Sequence, residues 1–226
     1  MPIHLLLAGG MAFLTIGVLQ AIYGPAFPFF ENRYQVPLKD VGLIASLHFV
    51  GVTVTPLIIG MLMLRFSTQV LVISSVLVFV AGVILVAFAP TWALALLGAL
   101  IGGVGVGGVS ATLNTAFASL GTRAVNLVNG VFGVGSALAP LAVSVLAPTN
   151  LAWPFLLIVV LGLITAALGM VLGFPEIKQK VSDEPKASKW SLVSLLFLVF
   201  FFLYVSLEVG FGAWASKHLA SLGIEQ

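Results

Sequence analysis

Gly103, Gly105 and Gly108 form a G-x-G-x-x-G pattern, the spacing that lets a backbone approach a pyrophosphate where a helix opens. That chemistry needs a preceding strand and, about 20 residues later, an acid to hold a ribose. The acid is missing, since no Asp or Glu occurs between Asp40 and Glu176, and the glycines sit inside an apolar run from Trp92 to Leu120. They read instead as packing surfaces. Gly98 and Gly102, like Gly103 and Gly107, are spaced i,i+4, which lets a neighbouring helix backbone come close.

Glu208 is the one acid deep within an apolar segment, with Tyr204 four residues before it and Gly212 four after it on the same helical face. A carboxyl near a bilayer centre costs about 2.5–3.5 kcal/mol on insertion scales, so it faces a cavity or a partner. It is expected to contact a solute or carry a coupling proton; the alternative is a permanently protonated acid bonded to a neighbouring helix. Asn126, Asn129, Gly133, Ser136 and Pro140 advance by three or four residues along one stripe, and Ser110 and Asn114 do the same on the preceding segment. Uncharged amides both donate and accept hydrogen bonds, which suits a neutral polyhydroxylated ligand, and equally suits bonding between helices. His48, with Gly51 and Thr55 along its face, is a titratable group that a membrane interior usually holds as a neutral hydrogen-bonding residue. His4, His48 and His218 lie on separate segments, so no metal site is expected, and no hydrolase elbow or triad is found. No cofactor is expected.

The elements that carry these residues follow from composition. Of 226 residues 61% are hydrophobic and 7% charged, against about 25% charged in a soluble domain, so the solvent of this chain is largely lipid. Nine Lys and Arg without a basic stripe exclude a nucleic-acid partner, and the absence of cysteine excludes disulfides. The start MPIHLLLAGG lacks a basic region, so a cleaved signal peptide is not expected. Breaks in the apolar sequence predict seven membrane helices near 4–30, 38–64, 69–89, 91–119, 124–147, 151–174 and 190–215. No segment alternates as a barrel strand would. With the N-terminus cytoplasmic, Arg65, Arg123, Lys178, Lys180, Lys186 and Lys189 fall inside, and Arg33, Lys39 and Lys217 outside. That bias selects the N-in orientation, and Trp92, Trp153, Trp190 and Trp214 then all sit at helix ends. A seven-helix receptor would run the other way.

Residues 13–24 (FLTIGVLQAIYG) and 201–212 (FFLYVSLEVGFG) superpose without gaps, placing Gln20 on Glu208 and Tyr23 on Phe211. The seventh helix therefore looks like a second first helix, the sign of a parallel repeat of two six-helix halves enclosing a midplane site. Gln20 and Tyr23, beside Gly24-Pro25, would face that site at the depth of Glu208.

These motifs resemble the major facilitator superfamily, and within it the fucose:proton symporter type of sugar permease. The resemblance rests on the glycine-rich fourth helix ending in Asn114, on Arg123, and on Asn126, Leu127, Phe132, Gly133, Gly135 and Pro140 of the fifth. Asn129 stands where that pattern usually has His. Tyr204, Glu208, Gly212 and Trp214 look like the start of the second half. The loop after the second helix keeps Gly60 and Arg65, candidates for an inner gate, but has Leu64 and Ser67 where the family has an acid and a second glycine. The acids that such symporters carry within helices one and four are absent here.

The resemblance implies an all-α membrane fold with a six-helix N-terminal bundle (1–174), a cytoplasmic linker (175–189) and the first helix of a second bundle with the start of an outer loop (190–226). It implies a multi-pass permease of the plasma membrane, not an enzyme, that moves a small polar solute, such as a sugar, by alternating access, with protons as the coupling ion. The missing C-terminal half would be needed to close the pathway. The rival expectation is a truncated half-permease that acts only as a structural fragment or with a partner half.

Overall fold

The computed structural model describes residues 3–177 and scattered positions from 191 to 218. Eight helices run through the first stretch: α1 (Ile3–Ala21), α2 (Tyr23–Tyr34), α3 (Leu38–Val41), α4 (Leu43–Leu62), α5 (Thr68–Phe88), α6 (Trp92–Ala118), α7 (Thr122–Leu146) and α8 (Ala152–Leu172). Among the described residues six helical stretches are long and apolar enough to cross a membrane, in keeping with an integral multi-pass protein. The described positions from Leu192 to His218 are helical. Most of the linker, Glu208, Gly212 and Lys217 lie outside the described residues.

Local chemistry sets the ends. Ser67 and Thr91 cap α5 and α6, each side-chain oxygen accepting from an amide three residues on at 3.4 Å. The α6–α7 turn places Gly121 at φ 104, a conformation that glycine adopts without penalty. The last carbonyls of α5 meet a basic residue. Arg33 donates to the carbonyls of Ala87 and Ala89 at 3.2 Å each, and the Tyr34 hydroxyl donates to Ala89 at 2.8 Å. Burial raises the Tyr34 phenol above its ordinary pKa, opposed by the adjacent Arg33 charge, so this hydroxyl stays a donor.

The first span differs from the single helix expected over 4–30. It breaks at Ile22, with α1 ending at Ala21 and α2 beginning at Tyr23. Pro25 has no N–H to give the Ala21 carbonyl, and its ring crowds the same group, so the ladder is cut one turn before the proline. The second span also starts in two pieces, the single turn of α3 and then α4.

The helices pair in a pattern that maps onto itself. α6 packs along α4 and α5, α1 packs along α7 and α8, and α5 meets α8. Exchanging α1 with α6, α4 with α7 and α5 with α8 reproduces the same pairs. The bundle is therefore two three-helix units, each lending its first helix to the other. The approaches of α4 to α6 and of α1 to α7 obey this exchange too. Gly103 of α6 faces the His48 backbone of α4, and Gly51 of α4 faces Leu100 and Val104 of α6; Gly17 of α1 faces the Phe132 carbonyl of α7, and Gly135 of α7 faces Leu14 of α1. Lipid tails supply no hydrophobic force between helices, so dispersion at these glycine contacts carries the association.

Of the remaining glycines of α6, Gly107 faces α4 and Gly98, Gly105 and Gly108 face α5, while a Cβ at Gly102 would find nothing closer than 3.9 Å. An added Cβ at Gly107 would lie 2.7 Å from the Val52 carbonyl oxygen of α4, and one at Gly98 would lie 2.8 Å from that of Gly82 on α5. Polar side chains add a few bonds: Thr15 to Thr165 across α1 and α8 at 3.0 Å, and Ser136 of α7 to the Gly17 carbonyl at 3.3 Å. Outside these contacts α5 and α8 present apolar residues such as Leu77, Ile84 and Ile164.

Candidate solute site

The amide-bearing positions of α6 and α7 reach the surface of the bundle. Asn114, Asn126 and Asn129 are exposed, and Gln20 on α1 is half-buried. No hydrogen bond joins these four to one another among the described residues. The α7 stripe therefore serves two purposes: Ser136 turns to the Gly17 carbonyl and fixes α7 on α1, while Asn126 and Asn129 face outward.

Register along α1 and α6 separates the polar positions in depth. The two helices run antiparallel, with Phe13 and Gly9 against Phe117 and, beyond the break, Tyr23 near Gly102. In that register Asn114 lies level with the middle of α1, roughly eight residues from Gln20, which at 1.5 Å per residue is about 12 Å. Asn114 and Gln20 therefore do not share one level.

Tyr23 takes a different place. It is buried at the first residue of α2, its ring 5.0 Å from that of His48 and 6.1 Å from that of Phe155 on α8. His48 is fully buried, and its Nδ1 lies 3.3 Å from the Ala99 carbonyl oxygen of α6. Only the pairing of the first, second and fourth spans brings Tyr23 and His48 together, and sequence spacing within one segment carries no signal for it.

Gly60 and Arg65, the expected gate residues, are exposed at the end of α4 and just beyond it. An added Cβ at Gly60 would meet nothing within 4 Å. Tyr204 is exposed and helical. Near the same stretch, the Trp214 ring lies 5.2 Å from that of Phe27, tilted by 57°, and comes within 3.3 Å of the Cβ position of Gly42. These contacts bring residue 214 beside the ends of the first two spans. Among the described residues no cluster of His, Cys, Asp or Glu is placed to hold a metal.

Comparison with known proteins agrees with this architecture. The family model described as Major Facilitator Superfamily matches residues 5–225. The "Gentisate transporter" of Corynebacterium glutamicum is 25% identical over 230 residues, a stretch that covers 90% of this chain and 51% of the relative. The chain thus spans about half the length of the curated relative it matches. Neither comparison singles out the fucose:proton symporter type. The family match begins in the first span, crosses all six and continues past the linker, so the chain belongs to the Major Facilitator Superfamily.

Proposed function

We propose that this chain supplies the first bundle, and the opening of the second, of a secondary transporter that moves a small polar solute by alternating access. Residues 1–174 form the bundle, 175–189 a cytoplasmic linker and 190–226 the start of the other half, in a plasma membrane with the N-terminus inside. The observation that carries the reading is a set of exposed amides: Asn114 on α6 and Asn126 and Asn129 on α7 are exposed among aliphatic neighbours such as Leu127 and Val134, with Gln20 half-buried on α1. Amides left on the surface of a membrane bundle need water, solute or a second bundle. Gly60 and Arg65, exposed at the end of α4 and just beyond it, would form a cytoplasmic gate against that second bundle.

Two solute classes have support. Uncharged amides and the likeness to fucose-type permeases favour a neutral monosaccharide, while the relative named for gentisate favours a hydroxylated aromatic acid. Protons are the proposed coupling ion, through Glu208. Uptake of labelled fucose, glucose and gentisate into proteoliposomes, with and without an inward proton gradient, decides among these. The expected result is gradient-driven accumulation of a monosaccharide. Accumulation of gentisate alone would shift the assignment to aromatic acids, and no uptake of any by folded protein spanning both halves would overturn the transport reading.

A further inference from the structure

The break in the first span leaves two complementary atoms without partners. Tyr23 Oη and His48 Nε2 are buried and form no hydrogen bond. Nδ1 of His48 faces the Ala99 carbonyl, which can only accept, so Nδ1 carries the ring hydrogen and donates it. Nε2 of the neutral ring is then a bare acceptor, and the Tyr23 hydroxyl is a donor with free lone pairs. Their rings lie 5.0 Å apart, and both border Gly102: a Cβ placed there would sit 3.9 Å from Tyr23 Oη and 3.9 Å from His48 Nδ1. No other titratable side chain occurs on α4 or α6, so neither helix brings a charge to the pair.

Buried polar atoms are rarely left unpaired, because each costs the desolvation that a partner would offset. A single group can satisfy both atoms only if it accepts from the phenol and donates to the imidazole, and a hydroxyl does both. We propose that Tyr23 and His48 form a subsite for one hydroxyl group, supplied by a water molecule or by the transported solute. Water needs nothing further, and ordered waters commonly bridge such pairs. The solute source rests on the transport reading above. Both solute classes considered there carry hydroxyls, so the subsite would read the feature they share. His48 then becomes a residue that recognises a hydroxyl, beyond its contact with α6.

Tyr23→Phe removes one oxygen and keeps the ring, so the variant keeps its packing. It is to be compared with the parent chain in lipid nanodiscs by thermal midpoint, without solute, with fucose and with gentisate. A bridged phenol predicts a midpoint lower by a few degrees, whereas loss of an unpaired buried hydroxyl leaves it unchanged or higher. A drop without solute assigns the hydroxyl to water, and a drop confined to samples with fucose or gentisate assigns it to that solute. An unchanged or raised midpoint in all three overturns the subsite. The nitrogen-15 resonance of His48 Nε2 gives a second readout: a hydrogen-bonded acceptor position supports the subsite, and the position of a free imidazole nitrogen overturns it. Should neither solute stabilise the parent while the variant still drops, the water-filled subsite stands and the transport reading loses support.

Discussion

Gly103→Ala should cost the bundle about 3 kcal/mol or more and sharply reduce the yield of folded protein. The added methyl would overlap the His48 carbonyl oxygen and press on its carbonyl carbon, 2.8 Å away. A backbone group cannot swing aside as a side chain can, so α6 and α4 would have to separate. Overpacking a well-fitted core typically costs about 1–3 kcal/mol, and contact with main chain lies at the upper end. In lipid no hydrophobic force draws the displaced helices back together. Gly102→Ala is the matched control. It sits one residue earlier on the same helix, where a methyl would find its nearest neighbours at 3.9–4.0 Å, so its fold should survive. Thermal melting in detergent, monitored by circular dichroism, compares the two variants. Equal midpoints would show that α4 and α6 do not approach as closely as described.

Glu208→Gln, in a protein spanning both halves, should bring proton-driven accumulation down to a ratio of about one while leaving solute counterflow intact. Within the six spans of the first bundle the only acid is Asp40, at the very start of the second, so Glu208 is the carboxyl deep within a predicted span of this chain. Gln has nearly the same shape and can still hydrogen-bond, but it cannot exchange a proton between the two sides. A coupling role therefore predicts loss of the gradient-driven step alone. Loss of counterflow as well would make Glu208 a solute contact or a structural bond. Full retention of accumulation would move coupling elsewhere.

The spans themselves were legible because prolines and charged residues interrupt the apolar sequence at nearly every helix end: Pro90-Thr91 before α6, Arg123 at the start of α7, Pro148 to Asn150 before α8. The break at Ile22 was not, although Gly24-Pro25 stood in view. Membrane helices tolerate proline by local adjustment, and whether one bends or breaks depends on what packs around it. Spacing placed Asn126, Asn129 and Ser136 on one stripe, yet it could not say which part of that stripe meets α1. The Gly17 carbonyl takes Ser136 and leaves the two amides outside. Likewise the glycine spacing on α6 carried no information on the neighbours: Gly103 and Gly107 face α4, Gly98 faces α5, and the Cβ position of Gly102 meets nothing closer than 3.9 Å. Tyr23 and His48 lie 25 positions apart in the chain, and only the way the helices pair makes them neighbours.

On the proposed function, the exposed Asn114, Asn126 and Asn129 line an aqueous path while the flanks of α5 and α8 meet lipid. The chain has no cysteine, so single cysteines can be introduced against a silent background. Labelling with a charged, membrane-impermeant maleimide in native membranes should modify Asn114→Cys, Asn126→Cys and Asn129→Cys, and should spare Leu77→Cys, Ile84→Cys and Ile164→Cys. Labelling of the α5 and α8 positions with protection of the three asparagine positions would contradict the account.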